Sequence, residues 1–262
     1  MEGPKTEKIE ALFNGIAGDY DRLNHLLSLG VDRSWRRRAM KEILPASSSK
    51  SDSWQVLDLA CGTGDFSLEM AGKARRMQEK AARKGTSVPD IQITGLDLSE
   101  GMLEVMRRKV EKAGFAQSVQ EAGRQVGIVA LQGNAEALPF ADGSFDRVTI
   151  AFGIRNFEQR KTALREILRV LKTGGRLVIL ELSVPSNPVL RFFYNLYFTH
   201  VLPRIGGWIS GDKAAYRYLP ASVLRFPGKE EWMETMRGCG FVGVRHRAYS
   251  LGICRQYVGE RP

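Results

Sequence analysis

Cysteine and histidine are scarce in this chain of 262 residues, with three of each. Neither type shows the spacing of a C-x-x-C pair or of a metal-ligand set. We therefore expect no disulfide and no bound metal, which fits a reducing cytoplasm. The first ten residues, MEGPKTEKIE, contain no apolar stretch, so we expect no signal peptide.

Acidic residues are outnumbered by basic ones. The chain has 29 Asp and Glu against 39 Lys and Arg, which gives a formal net charge of +10 at neutral pH. Such an excess favours an anionic partner, either a nucleic acid or the anionic face of a membrane. A hydrophobic fraction of 43% is enough for a substantial core, so we expect a folded protein.

Long hydrophobic runs are absent as well. The most apolar stretch, between Pro188 and Pro203, is too short and too interrupted by Asn195, Thr199 and His200 to span a bilayer. It predicts a helix that is apolar on nearly every face. This pattern is typical of a buried helix and also suits a lid beside a greasy substrate, and both interpretations stay open.

Two clusters carry much of the positive charge. Residues 73–84 are typical of a solvated helix extension. Residues 33–41 differ, because Trp35 lies among arginines directly after an apolar segment, as in an interfacial element with an aromatic anchor. With the apolar helix over 189–202, this cluster predicts docking on an anionic membrane surface. The basic residues assigned to that surface are Arg33, Arg36, Arg37, Arg38 and Lys41.

The strongest functional signal is the segment 56–65, VLDLACGTGD. An apolar run that suits a strand buried on both faces is followed by Gly62 and Gly64, which allow a sharp turn and a close approach to a ligand. The third glycine of the dinucleotide fingerprint is missing, since Ser67 stands at its place. The loop therefore favours a nucleoside without phosphates over a dinucleotide.

Two further strands end in polar residues. The strand that begins at Ile91 ends at Asp97, whose carboxylate can accept both hydroxyls of a ribose. Taken alone, Asp97 is equally well explained as a cap of the helix that starts near Ser99, but the glycine loop favours the binding role. The next strand places Asn134 and Ala135 just beyond its end, where an amide and a backbone N–H can bind an adenine edge.

Strand and helix patterns alternate along most of the chain, which predicts a single α/β domain. The expected sheet is mostly parallel and seven-stranded, with helices on both faces. Segments 241–249 and 252–260 predict an antiparallel hairpin at its edge. Two stretches that look inserted, 77–90 and 115–126, are polar enough to be surface loops.

The expected organisation has two parts. Residues 1–53 predict a helical cap and a linker, with the helices packed over the ligand crevice. Residues 54–262 predict the core, with a lid insertion around 185–228.

Four segments resemble the UbiE/MenG family of quinone C-methyltransferases, and the resemblance covers essentially the whole chain. The segments are 12–37, 152–160 (FGIRNFEQR), 166–177 (EILRVLKTGGRL) and 215–241. The most specific part is FGIRN joined to Y-x-Y-L-P-x-S-V-x-x-F-P. The resemblance implies a Rossmann-like class I methyltransferase that uses S-adenosylmethionine. The implied reaction moves a methyl group to a ring carbon of demethylmenaquinol; a polyprenyl benzoquinol, or both substrates, is the alternative.

The chemistry of this reaction suggests roles for individual residues. Arg155 and Asn156 follow the fourth strand and are expected to project into the crevice, with Arg155 as a partner of the quinol oxygen. Tyr216 and Tyr218 are candidates to complete the polar contacts, and packing of the lid alone explains them equally well. The residues expected to hold the cofactor are Asp58, Gly62, Thr63, Gly64, Asp97, Leu98, Asn134 and Ala135. Two residues expected to approach from the amino-terminal helices are Asp19 and Tyr20.

The implied partners are a prenylated quinol and, peripherally, the anionic inner face of the cytoplasmic membrane, with a homodimer as one option. Two other functional classes agree less well with the sequence. A nucleic-acid methyltransferase typically has N/D-P-P-Y after strand four, where this chain reads FGIRNF, so we expect no nucleic-acid partner. A noncatalytic protein with this fold is expected to lose the glycine loop or Asp97, and both are present.

Overall fold

The computed structural model describes residues 5–18, 20–21, 30–45, 52–116, 126–196 and 213–262, without the side chains of 193, 195 and 213–217. The helices are α1 (Thr6–Ile16), α2 (Val31–Ile43), α3 (Asp65–Arg83), α4 (Glu100–Lys112), α5 (Arg160–Val170), α6 (Pro188–Leu196), α7 (Lys213–Arg225) and α8 (Lys229–Gly238). The strands are β1 (Ser53–Leu59), β2 (Asp90–Asp97), β3 (Val126–Gln132), β4 (Phe145–Ala151), β5 (Leu171–Leu182), β6 (Val242–Tyr249) and β7 (Cys254–Glu260).

The seven strands form one sheet in the order β3-β2-β1-β4-β5-β7-β6. The first five strands pair in parallel, and β7 runs antiparallel between β5 and β6. The predicted mostly parallel sheet with an antiparallel hairpin at its edge is confirmed. The strand order reverses direction between β1 and β4, which is where open α/β sheets place their ligand crevice.

Both faces of the sheet are covered by helices, as predicted. Side chains along β1 point alternately to the two faces of the sheet. Leu57 and Leu59 belong to the core cluster that includes α5 and α8. Val56 belongs to the other cluster, which includes α2, α3 and α4. All three side chains are fully buried. A strand buried on both faces needs this continuous apolar pattern.

Helix α3 extends to Arg83, so the interpretation of 77–90 as a surface loop is wrong for its first half. Ala74 and Ala81 lie two turns apart and are both buried, which explains why the helix continues along the sheet. The predicted helix extension over 73–84 is confirmed. Of the second predicted loop, residues 117–125 lie outside the described part of the chain.

Helix α2 packs on the sheet, and this corrects the predicted membrane anchor. Trp35 is 5% exposed and its Nε1–H donates to Ser250 Oγ at 2.9 Å. Arg36 is 6% exposed and forms ion pairs with Asp32 at 2.9 Å and Glu69 at 3.0 Å. Neither side chain can dock on a membrane in this fold. The other basic residues of the cluster are exposed, namely Arg33, Arg37, Arg38 and Lys41.

The lid region differs from its prediction in two ways. Helix α6 buries Tyr194 but exposes Val189 and Phe192, so it is a one-sided helix rather than a fully buried one. Helix α7 was not predicted, because Pro220 lies inside it and a proline usually marks a helix end. Residues 197–212, which include the end of the predicted helix 189–202, lie outside the described residues. None of the described helices combines the length and apolar character that crossing a bilayer requires.

The glycine loop yields a stability prediction. Gly64 has φ +82°, and a Cβ there would lie 2.5 Å from Met106 Cγ. Gly114 has φ +66° but no atom near its Cβ position. We expect Gly114→Ala to cost ~1–2 kcal/mol of unfolding free energy through backbone strain. Gly64→Ala is expected to cost ~1–3 kcal/mol more through overpacking. Chemical denaturation measures both, and equal costs would contradict the packing argument.

Candidate active site

Two non-glycine residues with left-handed backbones mark the functional edge of the sheet. Ala60 has φ +52° just after β1, and Phe152 has φ +62° just after β4. The two loops touch, since a Cβ on Gly153 would lie 2.5 Å from that of Ala60. Such strain persists where the surrounding structure enforces it, and it is concentrated at functional sites.

A crevice of about 720 Å³, open to solvent, lies at this edge. The loops after β1, β2, β3 and β4 form most of its wall, and α1 closes one side through Thr6, Ile9 and Phe13. The convergence of strand ends on one crevice, inferred from the sequence, is therefore present in the structure.

Hydrogen bonds hold α1 across the crevice at both ends. The Thr6 N–H and hydroxyl both donate to Glu158 Oε2 at 2.9 Å. These bonds lower the pKa of Glu158, and the carboxylate caps the amino end of α1. Near the other end, Asn14 Oδ1 accepts the hydroxyl of Ser99 at 2.5 Å and the N–H of Gly101 at 3.1 Å. In contrast to α1, helix α2 contributes no residue to the crevice lining, so only part of the predicted cap lies over it.

Asp97 lines the crevice and connects two of its loops. Its Oδ2 accepts the N–H of Gly62 at 2.8 Å, and its Oδ1 accepts the N–H of Ser99 at 2.9 Å. Ser99 itself caps α4 by accepting the N–H of Met102. Burial raises the pKa of Asp97, and the N–H donors partly offset that rise. Asp97 is therefore not the helix cap, and each of its oxygens has a further lone pair for a ligand.

Three of the predicted cofactor residues lie behind the crevice wall. Asp58 is buried and accepts the hydroxyl of Ser67 at 2.6 Å. Thr63 is buried, donates to Asp21 Oδ1 at 2.5 Å and accepts from Lys109. The third is Gly64, which packs on Met106. These residues shape the loop, whereas Gly62 lines the crevice directly.

Leu98, Asn134 and Ala135 line the crevice, and the last two are the residues predicted for the adenine edge. Asn134 Oδ1 accepts the N–H of Glu136 at 2.9 Å, so the side chain also forms a local turn. Their role in binding a cofactor stays a prediction.

Arg155 does not project into the crevice. Its Nη1 donates to Glu181 Oε1 at 2.8 Å and to the Phe152 carbonyl, and its Nε donates to Ser222 Oγ at 3.2 Å. Its backbone N–H also donates to Glu181 at 3.1 Å. Both members of this ion pair are buried. The guanidinium is committed to protein partners because an unpaired Glu181 at this depth would be strongly destabilising.

Asn156 lines the crevice, and Tyr218 orients it. The Tyr218 hydroxyl donates to Asn156 Oδ1 at 2.8 Å. This bond fixes the orientation of the amide and leaves its Nδ2 hydrogens for another acceptor. Tyr20 also lines the crevice, with its ring 6.0 Å from that of Phe13. The side chain of Tyr216 and the whole of Asp19 lie outside the described part of the structure.

The crevice is acidic in a basic protein. Three carboxylates line it, on Asp97, Glu136 and Glu158, and no lysine, arginine or histidine of the described residues does so. Phosphate sites normally present cations or helix amino termini to the ligand. This lining instead suits a positively charged ligand without phosphates, in agreement with the missing third glycine.

Sequence reasoning missed Glu181, Ser222 and Glu158. Glu181 had a usable signal, since an acid near the end of the apolar run VILEL repeats the pattern of Asp58 in VLDL. Glu158 had none, because its partner Thr6 lies 152 positions away. Within the described residues, no group of three or more potential metal ligands is found.

Asp58 predicts a pH dependence of stability. Burial raises its pKa from 3.8 to about 7, and its Oδ1 has no hydrogen-bond partner within the described structure. The folded protein then holds a proton that the unfolded chain releases, so unfolding free energy falls as pH rises from about 4 to 7. Asp58→Asn keeps an oxygen for Ser67 and removes this titration. We expect a flatter dependence in denaturation series at several pH values, and an unchanged slope would contradict this origin.

Comparison with known proteins agrees with the geometry. The model of the ubiE/COQ5 methyltransferase family matches residues 1–261. A ubiquinone/menaquinone biosynthesis C-methyltransferase of Geotalea daltonii is 44% identical over 98% of this chain and 97% of its own length. A demethylmenaquinone methyltransferase of Deinococcus radiodurans is 42% identical over 98% and 94%.

Solved structures show the same architecture. An S-adenosylmethionine-dependent methyltransferase from Thermotoga maritima, described as a possible histamine N-methyltransferase, covers 96% of this chain and 99% of its own. Its TM-score is 0.61 at 20% identity, which supports the class I methyltransferase fold. The strand order, the crevice at the strand ends and the match along nearly the entire sequence lead to one assignment: the chain belongs to the ubiE/COQ5 methyltransferase family.

Proposed function

We propose that this protein transfers a methyl group from S-adenosylmethionine to a ring carbon of demethylmenaquinol. The observation that carries the proposal is the acidic crevice at the carboxyl ends of the strands. Its lining suits a nucleoside that bears a sulfonium and an amine and no phosphate. Relatives named for menaquinone methylation, or for both quinones, support the substrate class. A polyprenyl benzoquinol is the second candidate, since the Geotalea relative is named for both pathways.

The crevice residues fit this cofactor. Asp97 would accept the ribose hydroxyls, Gly62 would allow close approach of the backbone, and Leu98, Asn134 and Ala135 would surround the adenine. Asp58, Thr63 and Gly64 would support the loop from behind. When bound, S-adenosylmethionine supplies an electrophilic methyl group on a sulfonium centre. The negative lining stabilises that positive charge, and the closed side formed by α1 limits access of water.

The substrate's side of the crevice is assigned to the turn after β4. Removing a phenolic proton from the quinol makes the adjacent ring carbon nucleophilic, so the site must stabilise negative charge on the oxygen. Asn156, whose Oδ1 is held by Tyr218, would donate to this oxygen through its amide nitrogen. Arg155 would act from behind, by holding the turn through Glu181. Tyr216 remains a candidate for a further polar contact.

The substrate's chemistry also implies where the enzyme works. A prenylated quinol resides in a bilayer, and a chain with a formal charge of +10 is attracted to an anionic surface. We therefore place the protein in the cytoplasm, peripherally at the inner face of the membrane. A polyanionic nucleic acid fits poorly in a crevice lined by three carboxylates. A homodimer stays an option.

The function is tested by incubating purified protein with methyl-labelled S-adenosylmethionine and short-chain forms of each demethylquinol. We expect label on a ring carbon of demethylmenaquinol, located by mass spectrometry and NMR. Asn156→Ala is the matched variant: turnover should fall about 10²-fold, the scale for losing one oxyanion donor, while cofactor affinity stays the same. Transfer to the benzoquinol alone would favour the second candidate, and transfer to neither would refute the proposal.

The cofactor site is tested separately by calorimetry. Asp97→Ala should weaken S-adenosylmethionine binding by ~2–4 kcal/mol, because it removes charge-assisted hydrogen bonds and frees the Gly62 loop. Asp142→Ala is the control, since it removes a carboxylate that lies outside the crevice and is largely exposed. An unchanged affinity in Asp97→Ala would rule out the placement of the ribose.

A further inference from the structure

The turn between β6 and β7 presents an exposed leucine on a strained backbone. Leu251 is 74% exposed, more than any other large hydrophobic residue in the described ranges. Its φ is +58°, and that of Ser250 is +45°, so two successive non-glycine residues adopt the left-handed region. Glycine or asparagine adopts this backbone conformation at a lower conformational energy. An apolar side chain in this position therefore suggests a use for the leucine itself.

The turn is held firmly from both sides. The Trp35 indole N–H donates to Ser250 Oγ at 2.9 Å, and the Ser183 hydroxyl donates to the Gly252 carbonyl at 2.6 Å. Leu251 thus projects from a packed support. Trp35, expected from the sequence to enter a membrane, instead supports the residue that is exposed.

Neighbouring elements extend the apolar surface. Ser183 is the first residue of the connection from β5 to α6. Arg191 of α6 contacts this connection, because its Nε donates to the Pro185 carbonyl at 3.1 Å. The start of α6 therefore lies near the turn. On α6, Val189 is 64% exposed and Phe192 is 65% exposed.

Exposed arginines flank the turn. The Arg38 guanidinium lies 5.6 Å from the ring centroid of Tyr249, the residue that immediately precedes the turn. Arg33 and Arg37 are exposed on the same helix, and Arg247 is exposed at the end of β6. An apolar tip beside exposed arginines is complementary to a bilayer with anionic headgroups.

This surface lies at the carboxyl ends of the parallel strands, where the crevice also lies. Cys254, the first residue of β7, pairs with Leu182, the last residue of β5, so the turn adjoins the carboxyl end of β5. Trp35 also reaches Phe152 of the crevice, with ring centroids 6.1 Å apart. A molecule that leaves a bilayer under this edge would be next to the strand ends that form the crevice.

We propose that the turn Ser250–Gly252, together with the exposed start of α6 and the arginines Arg33, Arg37 and Arg38, is the surface that docks on an anionic lipid bilayer. We call it the docking edge. The inference rests on the proposed function, which places the substrate in the bilayer. Leu251 supplies the inserted apolar contact, and the arginines supply a salt-dependent attraction.

The test measures co-sedimentation of the full chain with vesicles of phosphatidylcholine and phosphatidylserine. Leu251→Asn removes the apolar contact and keeps a residue that tolerates the left-handed backbone, so the fold is preserved. We expect its vesicle partitioning to fall about tenfold. Arg37→Gln and Arg38→Gln should each lower it roughly fivefold at low salt. Thermal unfolding of each variant checks that the fold is intact.

Matched controls lie at the opposite side of the sheet, near the amino ends of the parallel strands. Val242, 48% exposed, pairs with Glu260 at the far end of β7, and Arg83 is exposed at the end of α3. Val242→Thr and Arg83→Gln remove the same kinds of group and should retain wild-type partitioning. Equal losses in these controls would show general charge or hydrophobicity effects and would overturn the assignment.

Other outcomes also decide the question. Unchanged partitioning of Leu251→Asn would overturn the docking edge, as would equal binding of the wild type to pure phosphatidylcholine vesicles. A dimer in sedimentation that Leu251→Asn dissociates, without vesicle binding, would identify the surface as a contact between copies instead. Leu251→Asn should methylate a soluble short-chain quinol normally. Vesicle binding without methylation of any quinol by the wild type would refute the proposed function and leave the docking edge standing.

Discussion

The carboxylate of Asp97 is the interaction on which the candidate site depends. It joins the loop after β1 to the start of α4, because its two oxygens accept the N–H groups of Gly62 and Ser99. Buried carboxylates are stable as anions only with such donors. Through Ser99, which also contacts Asn14, the same carboxylate is connected to α1. One side chain at a strand end thus connects three parts of the crevice wall.

Charge is distributed in this protein so that the crevice stays negative. Two cations of the neighbouring loops and helices are engaged by acids: Arg155 by Glu181, and Lys109 by Asp21 and Asp65. Their charge is balanced locally, whereas the carboxylates that line the crevice accept neutral N–H and hydroxyl donors. The excess of positive charge lies elsewhere, on exposed helix surfaces. A net charge of +10 therefore says little about the sign of the ligand that the crevice accepts.

Much of the fold could be predicted, because it depends on local pattern. Apolar runs that end in an acid or a glycine identify β1 and β2 and their position at one edge of the sheet. The role of Trp35 could not be predicted, since an aromatic residue among arginines looks the same whether it faces lipid or packs on Ser250. Its burial depends on the placement of α2 against β5, a contact between distant segments. Likewise, the ion pair that withdraws Arg155 from the crevice depends on the register between β4 and β5.

Local sequence patterns also fail to predict a helix that contains a residue unfavourable to helices. Pro220 lies inside α7, although a proline usually marks the end of a helix. In the candidate site, Gly62 and Gly64 look equivalent in the sequence. The structure separates them, because the Cβ position of Gly64 is occupied by Met106 and that of Gly62 faces Tyr20 at 3.8 Å. A motif identifies a loop, and packing decides which of its residues face the ligand.

The contacts of α1 have a consequence for the order in which the protein folds. An isolated helix of 11 residues is marginal in water, so α1 depends on its distant partners. Its contacts with Ser99 and Gly101 span 85 and 87 positions, and its contact with Glu158 spans 152. Closing such long loops has an entropic cost that is recovered only when both ends are already in place. We therefore expect the wall that completes the crevice to form late, after β4 and the turn that follows it have joined the sheet.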